Sequence, residues 1–309
     1  LAEQDPKLLV SSAPHTRDKM TAFFMMKETF IALLPATAMG VILFGSRGLW
    51  PVVVSTLAAI SAEVIMIGFR RKKLKAADIG SAALTGLLLA LTLPPAVPWY
   101  ATAAGASLSI IIAKHFLGGL GYNIFNPALV GRAFLMASWP VLMTTWVAPF
   151  SKVDAITTAT PLAAVRLGQM APTYMNMLFG LHGGCIGETC AIALVLGGLY
   201  LLIRKIIEWR IPLSFIGTVM VISALFGRDP IFQVLGGGLM LGAFFMATDP
   251  VTSPVTKSGR WAFGIGCGII TMVIRLFGGY PEGVCYAILI MNAAVPLMDR
   301  HLRGRVFGA

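Results

Sequence analysis

Four ionisable side chains stand in or against long apolar stretches: Glu63, Arg132, Asp249 and Asp299. A charge in hydrocarbon costs a few kcal/mol on insertion scales, so each needs a partner or a task. Asp249 lies in Ala247-Thr248-Asp249-Pro250, where the proline stops a helix and frees carbonyl groups. A carboxylate beside freed carbonyls can bind Na+ or carry a proton, or it can cap the segment that follows. For Glu63 an ion path and an internal ion pair are equally open. Asp299, at the end of the last apolar stretch, is the third acidic ion-path candidate. Arg132 reads as holding the Asn126-Pro127 turn or pairing with a carboxylate. A different chemistry is offered by Asp154-Ala155-Ile156-Thr157-Thr158-Ala159-Thr160-Pro161, in the longest polar interval of the chain. Its hydroxyls could carry an attached group. The plain alternative is a Thr-rich loop, since Thr suits turns and caps.

The elements that position these groups are membrane helices. The chain of 309 residues is 57% hydrophobic and 12% charged, with a mean hydropathy of +0.82. That charged fraction is about half that of an ordinary soluble domain. Apolar runs predict ten spans, near residues 29–45, 48–69, 79–93, 99–113, 128–147, 185–203, 212–226, 232–247, 261–277 and 283–298. The predicted fold class is therefore an all-α polytopic membrane protein. Residues 1–27 form an N-terminal lead, 28–147 a first membrane unit, 148–184 a long loop, 185–299 a second membrane unit and 300–309 a tail. Several spans are shorter than a bilayer requires. Gly and Pro interrupt them, as in helices that break inside a protein-lined cavity.

The net charge of +11 belongs to short basic loops and not to a nucleic-acid surface. With the N-terminus in the cytoplasm, 18 Lys and Arg fall on the cytoplasmic side and 5 on the outer side, with Arg132 inside a span. This places both termini inside and the 148–184 loop outside. Lys114-His115 then lies at a cytoplasmic boundary and reads as interfacial. Cys185, Cys190, Cys267 and Cys285 form no Cys-x-x-Cys pair and read as small apolar residues in packed helices. No metal site is expected. His182, in the outer loop, is weak evidence for a ligand contact.

The chain also repeats. A shift of 156 residues brings Gly80, Gly86, Thr92, Pro94 and Pro98 onto Gly236, Gly242, Thr248, Pro250 and Pro254. Five spans per half is an odd number, so the halves must be inverted, and inverted repeats place pathways near their pseudo-symmetry axis.

The loop stretch resembles the recognition motif of periplasmic flavin transferases, Asp-x-x-[Ser/Thr]-Gly-Ala-Thr. Asp154, Thr157, Ala159 and Thr160 match it, and Thr158 stands where that motif has Gly. The resemblance implies FMN joined through its phosphate to the Thr160 hydroxyl. The order of segments is similar to a wider family, which holds the D subunit of the Rnf electron-transport complex and the B subunit of the Na+-translocating NADH:quinone reductase. The residues carrying this run from Gly80 to Leu89 with Leu93-Pro94-Pro95, then from Tyr122 to Ala128 and Gly131 to Leu135. They continue through the flavin motif, Phe244 to Val251, and Tyr280-Pro281-Glu282-Gly283.

That family implies a subunit of an ion-translocating NADH:ferredoxin oxidoreductase in the cytoplasmic membrane of a bacterium or archaeon. It is incomplete as an enzyme on its own and holds no catalytic residue of its own. It implies electron relay coupled to Na+ or H+, one covalent FMN, room for a noncovalent riboflavin, and ion-path roles for Glu63, Asp249 and Asp299. Its implied partners are the A, B, C, E and G subunits of the complex, a flavin transferase during maturation, and membrane lipid. The competing reading is a secondary transporter or channel without a redox role, which the repeat and the broken helices support but which does not explain the flavin motif.

Overall fold

The computed structural model describes residues 21–150, 157–279 and 282–302, and these are almost entirely helical. The first helix, α1 (Ala22–Phe44), begins where the Thr21 hydroxyl accepts the Phe24 N–H. It ends at Gly45, in a positive-φ conformation that suits glycine. Helix α2 (Ser46–Phe69) follows at once, then α3 (Ala76–Leu91) and α4 (Trp99–Ile110), which continues as a π turn over Ile111–His115. Helix α5 (Pro127–Ser138) starts on Asn126, whose side chain accepts the Ala128 N–H, with Pro127 at the first helical position.

A short α6 (Pro140–Met143) leads into the long loop, where β1 (Trp146–Val147) pairs antiparallel with β2 (Thr157–Thr158). Two six-residue helices, α7 (Pro161–Arg166) and α8 (Tyr174–Phe179), complete the loop. The chain re-enters with α9 (Ala191–Ile203) and α10 (Arg210–Leu225).

The stretch expected as an eighth span over 232–247 is broken. Helix α11 (Pro230–Leu235) stops at Gly236-Gly237-Gly238, and α12 (Leu239–Leu241) continues as a π turn over Gly242–Met246. Gly237 and Gly238 both have φ near +69°, which a residue with a Cβ adopts at a cost. Helices α13 (Lys257–Phe277) and α14 (Val284–His301) close the fold.

Helices α1, α2 and α13 are long and apolar enough to cross a membrane; α3, α5, α9 and α10 are shorter apolar helices. One apolar core runs through the bundle, from Leu33 in α1 and Leu89 in α3 to Phe215 in α10 and Phe263 in α13. Close approach depends on small residues, as expected where lipid removes the usual hydrophobic drive between helices. A Cβ on Gly86 would lie 2.7 Å from the Ser55 carbonyl oxygen, and the Ser55 hydroxyl donates to the Gly86 carbonyl. The four cysteines are free and buried, as their sequence setting predicts.

Candidate functional site

The loop stretch comes first. Pairing of β2 with β1 holds Thr157 and Thr158 beside the exit of α6. Half-buried Ala159 follows, and Thr160 then caps α7, with its hydroxyl oxygen accepting the Ala163 N–H at 3.3 Å. Asp154 lies outside the described residues. Thr160 is 1% exposed, so the side chain expected to carry a group is sealed beneath its own helix.

Helix α7 docks onto the broken segment. Leu162 packs with Met177 and Phe232 in a small apolar cluster separate from the main core. A Cβ on Gly237 would come within 2.5 Å of both Leu162 and the Arg275 guanidinium. Arg166 donates to the carbonyls of Gly278 at 2.7 Å and Arg275 at 3.2 Å, which fastens the loop to the end of α13. At the far side of the loop Tyr174 donates to Asp229, and Asp229 caps α11 through the Ile231 and Phe232 N–H groups. Those bonds, that from Tyr174 foremost, hold the Asp229 carboxyl below the usual carboxylate range.

Two buried ionic clusters lie deeper. In the first, Glu63 of α2 meets the Lys114 amine at 2.8 Å and the His115 ring at 3.2 Å. Lys114 also donates to Ser81 of α3, and Arg70 donates to the His115 and Gly118 carbonyls. The π turn places both basic residues inward: Lys114 is 1% and His115 3% exposed. They are not interfacial, as their place in the sequence suggested, because the Glu63 carboxylate of another helix draws them in. Lys114 and Asp249 line one cavity of about 190 Å³, walled by Phe244, Phe245 and Leu88. Asp249 accepts the Thr252 hydroxyl at 3.0 Å, and Asp299 accepts the Val255 N–H at 3.1 Å. The structure thus brings Glu63 and Asp249 to one region through Lys114, while Asp299 steadies the neighbouring turn.

In the second cluster, Arg132 of α5 donates to the Thr92 carbonyl, to Cys185 and to Glu282. Pairing with a carboxylate is one of the two roles its position allows. Arg275 of α13 donates to the carbonyls of Gln233, Gly236 and Gly237. Between the two arginines, Glu188 and Glu282 line a cavity of about 30 Å³ together with Cys185 and Gly238. Glu188, Glu282 and Arg275 are the residues that sequence reasoning missed. Glu188 and Arg275 both fall inside predicted spans, so the test that singled out Glu63 applies to them as well. His182 is buried and contacts the Gly183 carbonyl.

A bundle of apolar helices, broken at glycines and enclosing paired charges, defines a multi-pass membrane protein. The chain belongs to the NQR2, RnfD, RnfE family, whose model matches residues 9–308. It is 47% identical to the D subunit of the proton-translocating ferredoxin:NAD(+) oxidoreductase complex of Clostridium ljungdahlii, over 97% of this chain and 96% of that protein. It is 46% identical to the D subunit of the Na(+)-translocating ferredoxin:NAD(+) oxidoreductase complex of Acetobacterium woodii, over 97% and 95%. The D subunit of the ion-translocating oxidoreductase complex of Stutzerimonas stutzeri is 39% identical, over 92% and 91%.

Proposed function

We propose that this chain is the D-type membrane subunit of an ion-translocating ferredoxin:NAD+ oxidoreductase of the Rnf kind. In this role it relays electrons through FMN carried on Thr160, coupled to movement of Na+ or H+. It works with the A, B, C, E and G subunits in a cytoplasmic membrane. Its termini face the cytoplasm, its 148–184 loop faces outward, and a flavin transferase loads the loop.

The observation that carries this reading is the docking of the Thr160 loop on the Gly236–Gly238 break, in a chain that matches such D subunits along nearly its whole length. A loop-borne flavin would sit where a membrane helix is interrupted. Thr160 fits the group: esterification removes the hydroxyl hydrogen but leaves an oxygen able to accept the Ala163 N–H. Its burial means that loading precedes docking of α7. A bound flavin supplies electron acceptance and donation. The chain's own residues hold the loop, through Leu162 and Arg166, and keep the helix break closed, through Arg275.

Ten spans in two inverted repeats are supported by the contacts between α5 and α14. Cys285 touches the carbonyl of Leu129, 156 positions earlier, which is the shift of the sequence repeat. A two-fold axis between α5 and α14 brings counterparts together in this way. The 190 Å³ cavity has the apolar walls and few polar groups of a cofactor site. It is smaller than the roughly 300–1,000 Å³ of drug-sized sites. In this reading Phe244 and Phe245 would hold a noncovalent riboflavin there. Asp249 at this cavity, Glu63 behind its Lys114, and Asp299 at the turn that follows form the ion-path candidates of this reading.

The test is in-gel flavin fluorescence of the denatured chain, purified from cells with an active flavin transferase. The wild type should give a fluorescent band. Thr160→Asn keeps a helix cap but removes the hydroxyl, and should give a dark one while the complex still assembles. Glu63→Gln and Asp249→Asn should keep the band and lower cation-dependent electron transfer. A dark wild-type band overturns the redox reading in favour of a transporter or channel.

A further inference from the structure

The ion-path candidates so far are those the sequence displays, but the second buried cluster sets two carboxylates with open oxygens against one cavity. Glu63 has Lys114 and His115 beside its two oxygens, although its Oε2 makes no hydrogen bond among the described residues. Glu188 is 4% exposed, and its Oε1 has no hydrogen-bond partner among the described residues. Glu282 gives Oε2 to Arg132, while its Oε1 is likewise without a partner there. Ligand atoms of Glu188, Glu282 and Cys185 lie within 4.8 Å of one another. They line a cavity of about 30 Å³, and one water needs on the order of 10–15 Å³. A buried carboxylate without a hydrogen bond is costly enough that it takes up a proton or a counter-ion.

The charged and titratable groups around the cavity limit what enters. Arg132 lines it from α5, Cys285 from α14 and Cys185 from the segment before α9, while Arg275 of α13 lies against Gly237 of the lining. Arg132 is committed to Glu282 and the Thr92 carbonyl. Arg275 gives its two Nη groups to the carbonyls of the helix break, keeps an Nε without a partner among the described residues, and acts on Glu188 through space. The two guanidinium charges already balance the two carboxylates, which disfavours a divalent ion. Further positive charge is thereby limited to a single unit, held by the open oxygens of the two carboxyls.

We propose that Glu188 and Glu282 form a binding site for a single small hard cation, either a shared proton or Na+, directly beneath the Thr160 loop. In the proton form one carboxylate takes a proton from water and returns it to water; in the Na+ form the ion exchanges its hydration for carboxylate oxygens. No electron moves within the site. Its position supplies the coupling: Glu188 lies 3.5 Å from where a Cβ of Gly238 would be, and the adjacent residue, Gly237, carries Leu162 of the loop. The proposal deepens the redox reading above and rests on it.

The experiment is infrared difference spectroscopy of carboxyl groups in the purified wild-type complex and in Glu188→Gln. One arm steps the pH without Na+; the other replaces choline chloride by NaCl at fixed pH. A proton site gives a protonated-carboxyl band in the first arm, and a Na+ site gives a carboxylate shift in the second. Glu188→Gln should remove whichever signal the wild type shows. In proteoliposomes it should also lower the cations moved per electron. Covalent flavin should not change. Signals unaltered by Glu188→Gln in both arms, or a wild-type ion-to-electron ratio, overturn the proposal. Should Glu188→Gln not assemble, Glu188→Asp decides: it should keep the signal with a displaced midpoint, and an unmoved midpoint overturns the site. A wild-type complex that lacks a fluorescent band or moves no cation defeats the underlying reading instead.

Discussion

The two buried ionic clusters sit at either end of α3 and solve one problem in opposite ways. Lys114 bonds Ser81 near the start of that helix, and Arg132 bonds Thr92 just past its end. The separation is roughly 16 Å at 1.5 Å per residue. At the Ser81 end the Glu63 carboxylate is ion-paired directly with Lys114 and flanked by the His115 ring, with its Oε2 outside any hydrogen bond among the described residues. At the Thr92 end the arginines are occupied by backbone carbonyls and by Glu282, and the Glu188 Oε1 has no partner among the described residues. Equal burial therefore does not mean equal commitment. A carboxylate held by its neighbours supports structure, and one left open can exchange its counter-charge.

The largest expected effect tests that difference directly. Lys114→Met leaves Glu63 buried with only His115 beside it, and should destabilise by about 3–5 kcal/mol. Glu188→Gln removes a charge whose Oε1 is unpaired and should stay within about 1 kcal/mol of wild type. Thermal unfolding of the two detergent-solubilised complexes reads the contrast. Equal losses would abolish the distinction between the clusters.

A second pair of variants sharpens the role of the helix break at the Thr92 end. Gly237→Ala puts a Cβ against Leu162 and Arg275 at a positive φ, and should cost about 1–3 kcal/mol. The loss should appear as faster proteolysis of the undocked loop. Gly217→Ala, with nothing near its Cβ inside α10, should be neutral or slightly stabilising. The Ser81 end should be untouched by either.

The smallest effect concerns pH. The folded-state value of Asp229 is lowered by Tyr174 and two backbone N–H groups. Its contribution is therefore present above the unfolded carboxyl value, about pH 4, and is lost as pH falls through the lower folded value. Hydrogen exchange in α8 and α11 should rise below about pH 4, and Asp229→Asn should flatten that rise. The Glu63 cluster does not touch these helices, so their acid limb should be the same in Glu63→Gln.

Much of this arrangement is legible in the sequence. Apolar run lengths mark the helices, but they read 232–247 as one span ending at Asp249-Pro250 and pass over the break at Gly236-Gly237-Gly238. Thr160 before Pro161 is a helix start, which is the role the structure displays. Lys114 and His115 mislead because hydropathy treats charges after an apolar run as a boundary. Nothing local to them reports Glu63. Glu188 escapes for the opposite reason. The run from residue 185 reads as continuous helix, yet α9 begins only at Ala191, and Glu188 lies in irregular chain that no periodicity describes. Asp154, central to the flavin motif, lies outside the described residues.

Arg275 has a mechanical consequence. A helix interrupted by three glycines would be a loose joint, free to swing about two positive-φ residues. One guanidinium pins it by holding the Gln233, Gly236 and Gly237 carbonyls at once. A planar fork holds three acceptors in fixed directions, which the ammonium of a lysine, a point charge on a flexible stem, does not. The stiffness of the joint thus rests largely on a side chain from another helix, and the loop fastened beside it is held against that pinned segment.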